Sequence, residues 1–341
     1  MQRTRTPGFT APFARQAGLT LIELMVSITV GLFVVAALAV LFSQQSSVQA
    51  ELEKSSRQIE NGRYAIQLVA KDLELAGYFG EYADTVSATA LPDACSRTAS
   101  DLQGSIALPL QGVDFAPSQS TTTGLPTCVS STNYKPGTDV LVVRRAGTSE
   151  ATTLAVGAYY IQTGIRANAM AYTIGPATAV SGPIDSSLKK RDGSTGWIRP
   201  FHAYVYYVGK CSRCSAPADS IPTLRRVDVT AAGAVDDQPM VEGVEQFQVD
   251  YGLDTDSDGA PDTYVASPAS VAEWQQVAAV RIHVVGRTNE LSPGHVDSKT
   301  YALGLTSSAS AATVGPFSDG YKRHVFSQTV RIVNPSMRKE R

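Results

Sequence analysis

Gly18-Leu19-Thr20-Leu21-Ile22-Glu23-Leu24-Met25-Val26 opens a run that stays apolar to Phe42 and carries one charged side chain, Glu23. About 24 such residues span roughly 30 Å of hydrocarbon as a helix. A carboxylate one turn inside the run costs several kcal/mol if it is left alone. It therefore needs the interface, a proton or a cationic partner. Ahead of the run, residues 1–18 hold Arg3, Arg5 and Arg15 and no acid. Such a basic flank stays cytoplasmic and sends the following chain across the membrane.

An ordinary secretory signal has a shorter apolar core with small residues at its far end. Here the small residue, Gly18, stands before the run. A cut between Gly18 and Leu19 sheds the leader, keeps the whole helix, and creates an amine four residues from Glu23. A plain signal anchor with a glutamate near the interface is the alternative.

Beyond Phe42 the pattern remains helical. Val48, Leu52, Ile59, Ile66, Val69 and Leu73 recur at amphipathic-helix spacing, no proline interrupts 19–77, and Gly77 is a natural stop. The helix predicted over 19–77 would be roughly 85–90 Å long. Its charged residues, Glu51, Lys54, Arg57, Glu60, Arg63, Lys71 and Asp72, read as a solvated face. The Ser/Thr/Pro-rich stretch 83–137 reads as extended loop with short strands. Strands are predicted over 139–145, 158–165, 203–209, 224–229, 245–251, 277–285 and 322–333, rich in Val, Ile, Tyr and Phe. Residues 233–239 read as a turn and 288–313 as an exposed loop. The fold class is α+β: a long N-terminal helix against a mainly antiparallel β head, with leader 1–18, helix 19–77 (membrane part 19–42) and head 78–341.

The chain has 29 Lys+Arg and 31 Asp+Glu among 341 residues. Removing the leader's three arginines leaves 26 basic against 31 acidic residues, a mildly acidic mature chain without the basic stripe of a nucleic-acid binder. Cys95, Cys128, Cys211 and Cys214 all follow the apolar run, so export would place them where disulfides form. The favoured pairing is Cys95–Cys128 and Cys211–Cys214. A redox or zinc role for the Cys-x-x-Cys is the alternative.

Asp254-Thr255-Asp256-Ser257-Asp258-Gly259-Ala260-Pro261-Asp262 sets carboxylates at alternate positions before a turn-forming glycine. Asp254, Asp256, Asp258, the Ala260 carbonyl and Asp262 occupy the first, third, fifth, seventh and ninth positions of a calcium loop. The twelfth is Val265, so water or another residue, such as Glu273, must complete the shell. An acidic turn without metal is the alternative. No serine elbow, phosphate-binding glycine loop or zinc-protease motif occurs, and His202, His283, His295 and His324 are scattered. Catalysis is not expected.

Together, Gly18 to Val26 resemble the cleavage signal of type IV prepilins and pseudopilins, although Leu19 replaces the family's usual Phe. The whole chain resembles the PilW family of type IV minor pilins. The likeness rests on Glu74-Leu-Ala-Gly-Tyr78, Leu91-Pro-Asp-Ala-Cys95, the aspartate loop, and Tyr321 to Asn334. The resemblance implies cleavage and N-terminal methylation by prepilin peptidase, and an inner-membrane subunit with a periplasmic head. It further implies a non-enzymatic role near the pilus tip, priming assembly with other minor pilins, the major pilin and a PilY-type adhesin, in support of twitching motility and adhesion. A J-type secretion pseudopilin and a membrane-anchored calcium-dependent binding protein are the alternative readings.

Overall fold

The computed structural model describes residues 18, 20–84, 86–229 and 235–335, and the chain divides into two compact units, 1–53 and 54–341. Helix α1 runs unbroken over Leu21–Glu74 and so contributes to both. In the first unit its side chains are exposed almost throughout, and this part is long and apolar enough to cross a membrane. Val48 and Leu52 of the expected stripe are exposed as well. Ser27 and Thr29 return their hydroxyls to the carbonyls of Glu23 (2.7 Å) and Val26 (2.9 Å), so neither brings an unsatisfied donor into the apolar run.

The second unit is built on the remaining helical turns. Gln58, Gly62, Ala65, Ile66, Val69, Ala70, Asp72 and Leu73 are buried at three- and four-residue spacing. This corrects the sequence reading at both edges. Ile59 is 41 % exposed, and its place in the buried stripe is taken by Gly62, too small to register as hydrophobic. A Cβ on Gly62 would run into the Phe326 ring, so the glycine is what lets the helix lie this close. Asp72, expected on the solvated face, is buried against Arg145 (2.8 Å), Arg226 (3.8 Å) and the Tyr206 hydroxyl. The helix ends where expected. Gly77 takes a φ of +72° and donates its N–H to the Arg144 carbonyl at 3.0 Å.

Thirteen strands follow among the described residues, all paired antiparallel. The larger sheet has β1 (Leu110–Val113), β2 (Val140–Ala146), β5 (Trp197–Gly209), β3 (Tyr159–Arg166) and β4 (Ala169–Pro176) in that order. β6 (Thr223–Val229) pairs β5, and β7 (Val235–Glu242) pairs β6. The second sheet runs β13 (Arg323–Arg331), β10 (Val277–Arg287), β8 (Val244–Leu253), β9 (Thr263–Val265). A hairpin, β11 (Tyr301–Leu305) with β12 (Ala311–Val314), stands apart. The α1 face from Ala65 to Leu73 shares one core with Leu141, Tyr206, Phe247, Val249, Val280, Ile282, Trp274 and Val330. Leu73 and Val69 are fully enclosed there, each contributing about 1.5–3 kcal/mol relative to exposure.

The predicted strands are present, with β5 extending back to Trp197. Two expected loops contain more structure. Residues 235–239 belong to β7 rather than to a turn; 233 and 234 lie outside the described residues. The 288–313 stretch holds β11 and the start of β12, whose Tyr301, Leu303 and Val314 bury against Val285. Within 83–137, helix α2 (Ala99–Ala107) is capped by the Thr98 hydroxyl on the Asp101 N–H (3.3 Å). Cys95–Cys128 ties this stretch together, and Cys211–Cys214 closes a turn directly after β5.

Candidate assembly and cation sites

The start of α1 is a capping box. The Glu23 N–H donates to the Thr20 hydroxyl (3.4 Å), and the Glu23 carboxylate accepts from the Thr20 N–H (3.4 Å) and hydroxyl (3.3 Å). Thr20-Leu-Ile-Glu23 carries this signature in plain sight, but the depth of the carboxylate draws attention first. Capping gives the free chain a local use for Glu23. It satisfies orphan N–H groups and sets a negative charge at the positive end of the helix dipole. The bonds are long and the side chain exposed, so a stronger cationic partner can displace them. Gly18 is exposed, and Leu19 lies outside the described residues.

The aspartate loop joins β8 to β9, a hairpin connection as expected. Ser257 (φ +67°) and Gly259 (φ +83°) turn the chain back. Asp254 is fully buried and accepts the Gly259 N–H at 3.3 Å, while its own N–H donates to the Gln276 carbonyl at 2.9 Å. Asp254, Asp256 and Asp262 each offer an oxygen within 4.8 Å of the others. Thr255 donates both its N–H (2.7 Å) and hydroxyl (2.6 Å) to Asp262, and these bonds hold the Asp262 carboxyl below the usual carboxylate range.

Asp258 is placed differently. Its carboxylate accepts the Ala260 N–H at 2.8 Å and lies outside the trio. Glu273 is committed elsewhere too: it accepts the Ala269 N–H (2.7 Å), and its own N–H donates to the Ser270 hydroxyl (3.2 Å) at the start of α3 (Val271–Gln276). Three hard oxygens around one point suit a calcium-sized ion, with the remaining positions left to water.

The histidines have structural partners where the strands place them. His202 Nδ1 lies 3.5 Å from Asp228, and His324 packs edge-on to Phe326. His283 is buried between the Ser327 hydroxyl (2.8 Å) and Asp250 (3.2 Å), which satisfies both ring nitrogens. This Ser–His–Asp line comes from three neighbouring strands, so no spacing in the sequence announces it. Among the described residues the Cys-x-x-Cys pair is bonded to itself, with no third or fourth zinc ligand gathered around it.

Two family models match the chain. Residues 13–39 match the prokaryotic N-terminal methylation motif, which, with the apolar helix and antiparallel head, defines a pilin-like protein. Residues 205–334, from within β5 to just past β13, match type IV pilus-assembly protein W. The chain is thus similar over residues 205–334 to type IV pilus-assembly protein W, a type IV minor pilin, and over residues 13–39 to N-terminally methylated proteins. Searches of curated proteins and of solved structures give no match.

Proposed function

We propose that the chain is a non-enzymatic minor pilin that primes type IV pilus assembly at the inner membrane and then resides near the pilus tip. In this reading prepilin peptidase cuts after Gly18. Residues 19–42 anchor the subunit, and the head (78–341) works in the periplasm among other minor pilins, the major pilin and a PilY-type adhesin, supporting motility and adhesion. The observation that carries it is the methylation motif ending in an α1 whose first turn is closed by Glu23. When the helix leaves lipid for a bundle of like helices, Glu23 exchanges its cap for the Leu19 amine of a neighbour. In low dielectric that pair sets register, because the alternative is an uncompensated buried carboxylate. Glu23→Ala should leave cleavage and head folding intact and lower incorporation into pili. Normal piliation in that variant, or a mature N-terminus other than Leu19, would sink the reading.

The aspartate trio favours calcium as a structural ligand of the head. Millimolar Ca²⁺ should raise the melting temperature of the detergent-solubilised full chain. Asp256→Ala should abolish the rise, whereas Asp258→Ala should keep most of it. Equal loss in both variants would return Asp258 to the ligand set, and an undiminished rise in both would place the ion elsewhere.

A further inference from the structure

The turn end of the β3–β4 hairpin holds a cleft of about 400 Å³ that neither assembly nor the aspartate loop uses. Trp197, at the start of β5, forms one wall. Ile165 and Met170, cross-strand partners on β3 and β4, line its apolar floor. Asn168, at the hairpin tip, and the segment Lys190-Arg191-Asp192 complete the rim. Ala167 and Asn168 both hold positive φ (49° and 67°), a strained conformation for alanine that keeps the tip tight.

The polar groups on the rim are unequally committed. Lys190 Nζ stands 5.3 Å from the centre of the Trp197 ring and is neutralised by Glu150 at 3.0 Å. Asp192 accepts the Ser194 N–H at 2.8 Å. Arg191 is exposed and makes no ion pair among the described residues. An indole beside an uncommitted guanidinium, in a hollow of small-molecule size, is a recognition arrangement rather than a core contact. The whole cleft lies between the segments matched by the two family models.

We propose that this cleft binds an acidic saccharide. One sugar ring lays its C–H face on the indole, and the sugar carboxylate pairs with Arg191. The electron-rich face of an aromatic ring attracts the slightly positive C–H edge of a pyranose, and planar stacking orders few rotatable bonds. The guanidinium fork matches a carboxylate in two parallel hydrogen bonds, which a neutral sugar cannot offer. Asn168 and Asp192 are left to read hydroxyls. The proposal stands independently of the assembly role.

The two tryptophans make the test direct, because Trp274 is only 4 % exposed and Trp197 is half-buried in the cleft. A galacturonic-acid trimer titrated into the detergent-solubilised full chain should shift Trp emission to the blue and protect it from acrylamide. Maltotriose, neutral and of equal length, should bind about tenfold more weakly or worse, the worth of one lost charge-assisted pair. Arg191→Glu, on an exposed turn where folding is not at risk, should weaken the acidic trimer by at least as much. Trp197→Ala should abolish the spectral response, with isothermal calorimetry confirming lost binding. No response to the acidic trimer, equal binding of the neutral trimer, or unchanged binding by Arg191→Glu would each overturn the proposal.

Discussion

Arg323 shows how one side chain holds several segments. Its guanidinium is fully enclosed and bonds Glu245 on β8 (2.5 Å), Asp297 in the connection to β11 (2.9 Å) and Asp319 ahead of β13 (2.6 Å). Burial by itself would lower its pKa, but the bonds to Asp319 and Glu245 outweigh that and hold it raised. Replacing such a residue removes the counter-charge from carboxylates that stay buried. Arg323→Met should therefore cost about 3–5 kcal/mol, measured by urea denaturation of the solubilised chain. A loss under 1 kcal/mol would mean that Glu245 and Asp297 find water instead. The partner acid gives a pH signature. Hydrogen bonds from Arg323, the largest cause, hold the Asp319 carboxyl below the usual range. A depressed folded pKa contributes stability above the unfolded value, about 3.9, and loses it as pH falls through the folded value. The urea midpoint should accordingly fall below about pH 4, and Asp319→Asn should flatten that slope. Asp319 is a third exposed, so the effect will be modest.

At the scale of elements, the close approach of α1 to β13 depends on Gly62 lacking a side chain. Gly62→Val should push the helix off Phe326 and destabilise the head by about 1–3 kcal/mol, read as a lower melting temperature. If stability is unchanged, the ring has room to swing aside. The same contact marks where sequence patterning stops being informative. The apolar count located α1 and its Gly77 stop, and alternation with β-branched residues located β2, β3, β6, β8, β10 and β13. It missed the buried face around Gly62 and Ala65, because close packing of small residues leaves no hydrophobic mark. It also missed β7, whose Val235-Asp-Asp-Gln-Pro-Met segment is held by the ladder to β6 rather than by its own propensity. Asp72 looked solvated because Arg145, Arg226 and Tyr206 lie far away in sequence.

For the molecule as a whole, the candidate sites were legible to different degrees. Gly18 and Glu23 stand in a contiguous motif that the methylation match covers, and the Thr20–Glu23 cap lies within it. The aspartate loop was legible as a loop, but not that the oxygens of Asp254, Asp256 and Asp262 gather in it. Where the turn carries each carboxylate is invisible in spacing. The cleft at Trp197 could not be read at all, since its walls come from a hairpin, a turn and the start of β5.

The packing of α1 joins the start of the head to its far end. The partners of its buried face include Phe326, Val330 and Ile332, and Asn334 donates to the Glu74 carbonyl at 3.4 Å across 260 residues of chain. During synthesis the helix is made first and β13, which covers it, far later. For most of synthesis the Gly62–Leu73 face waits without its cover, a window in which another apolar surface can occupy it. The order of synthesis thus makes burial of that face a late event, because β13 is made long after the helix it covers.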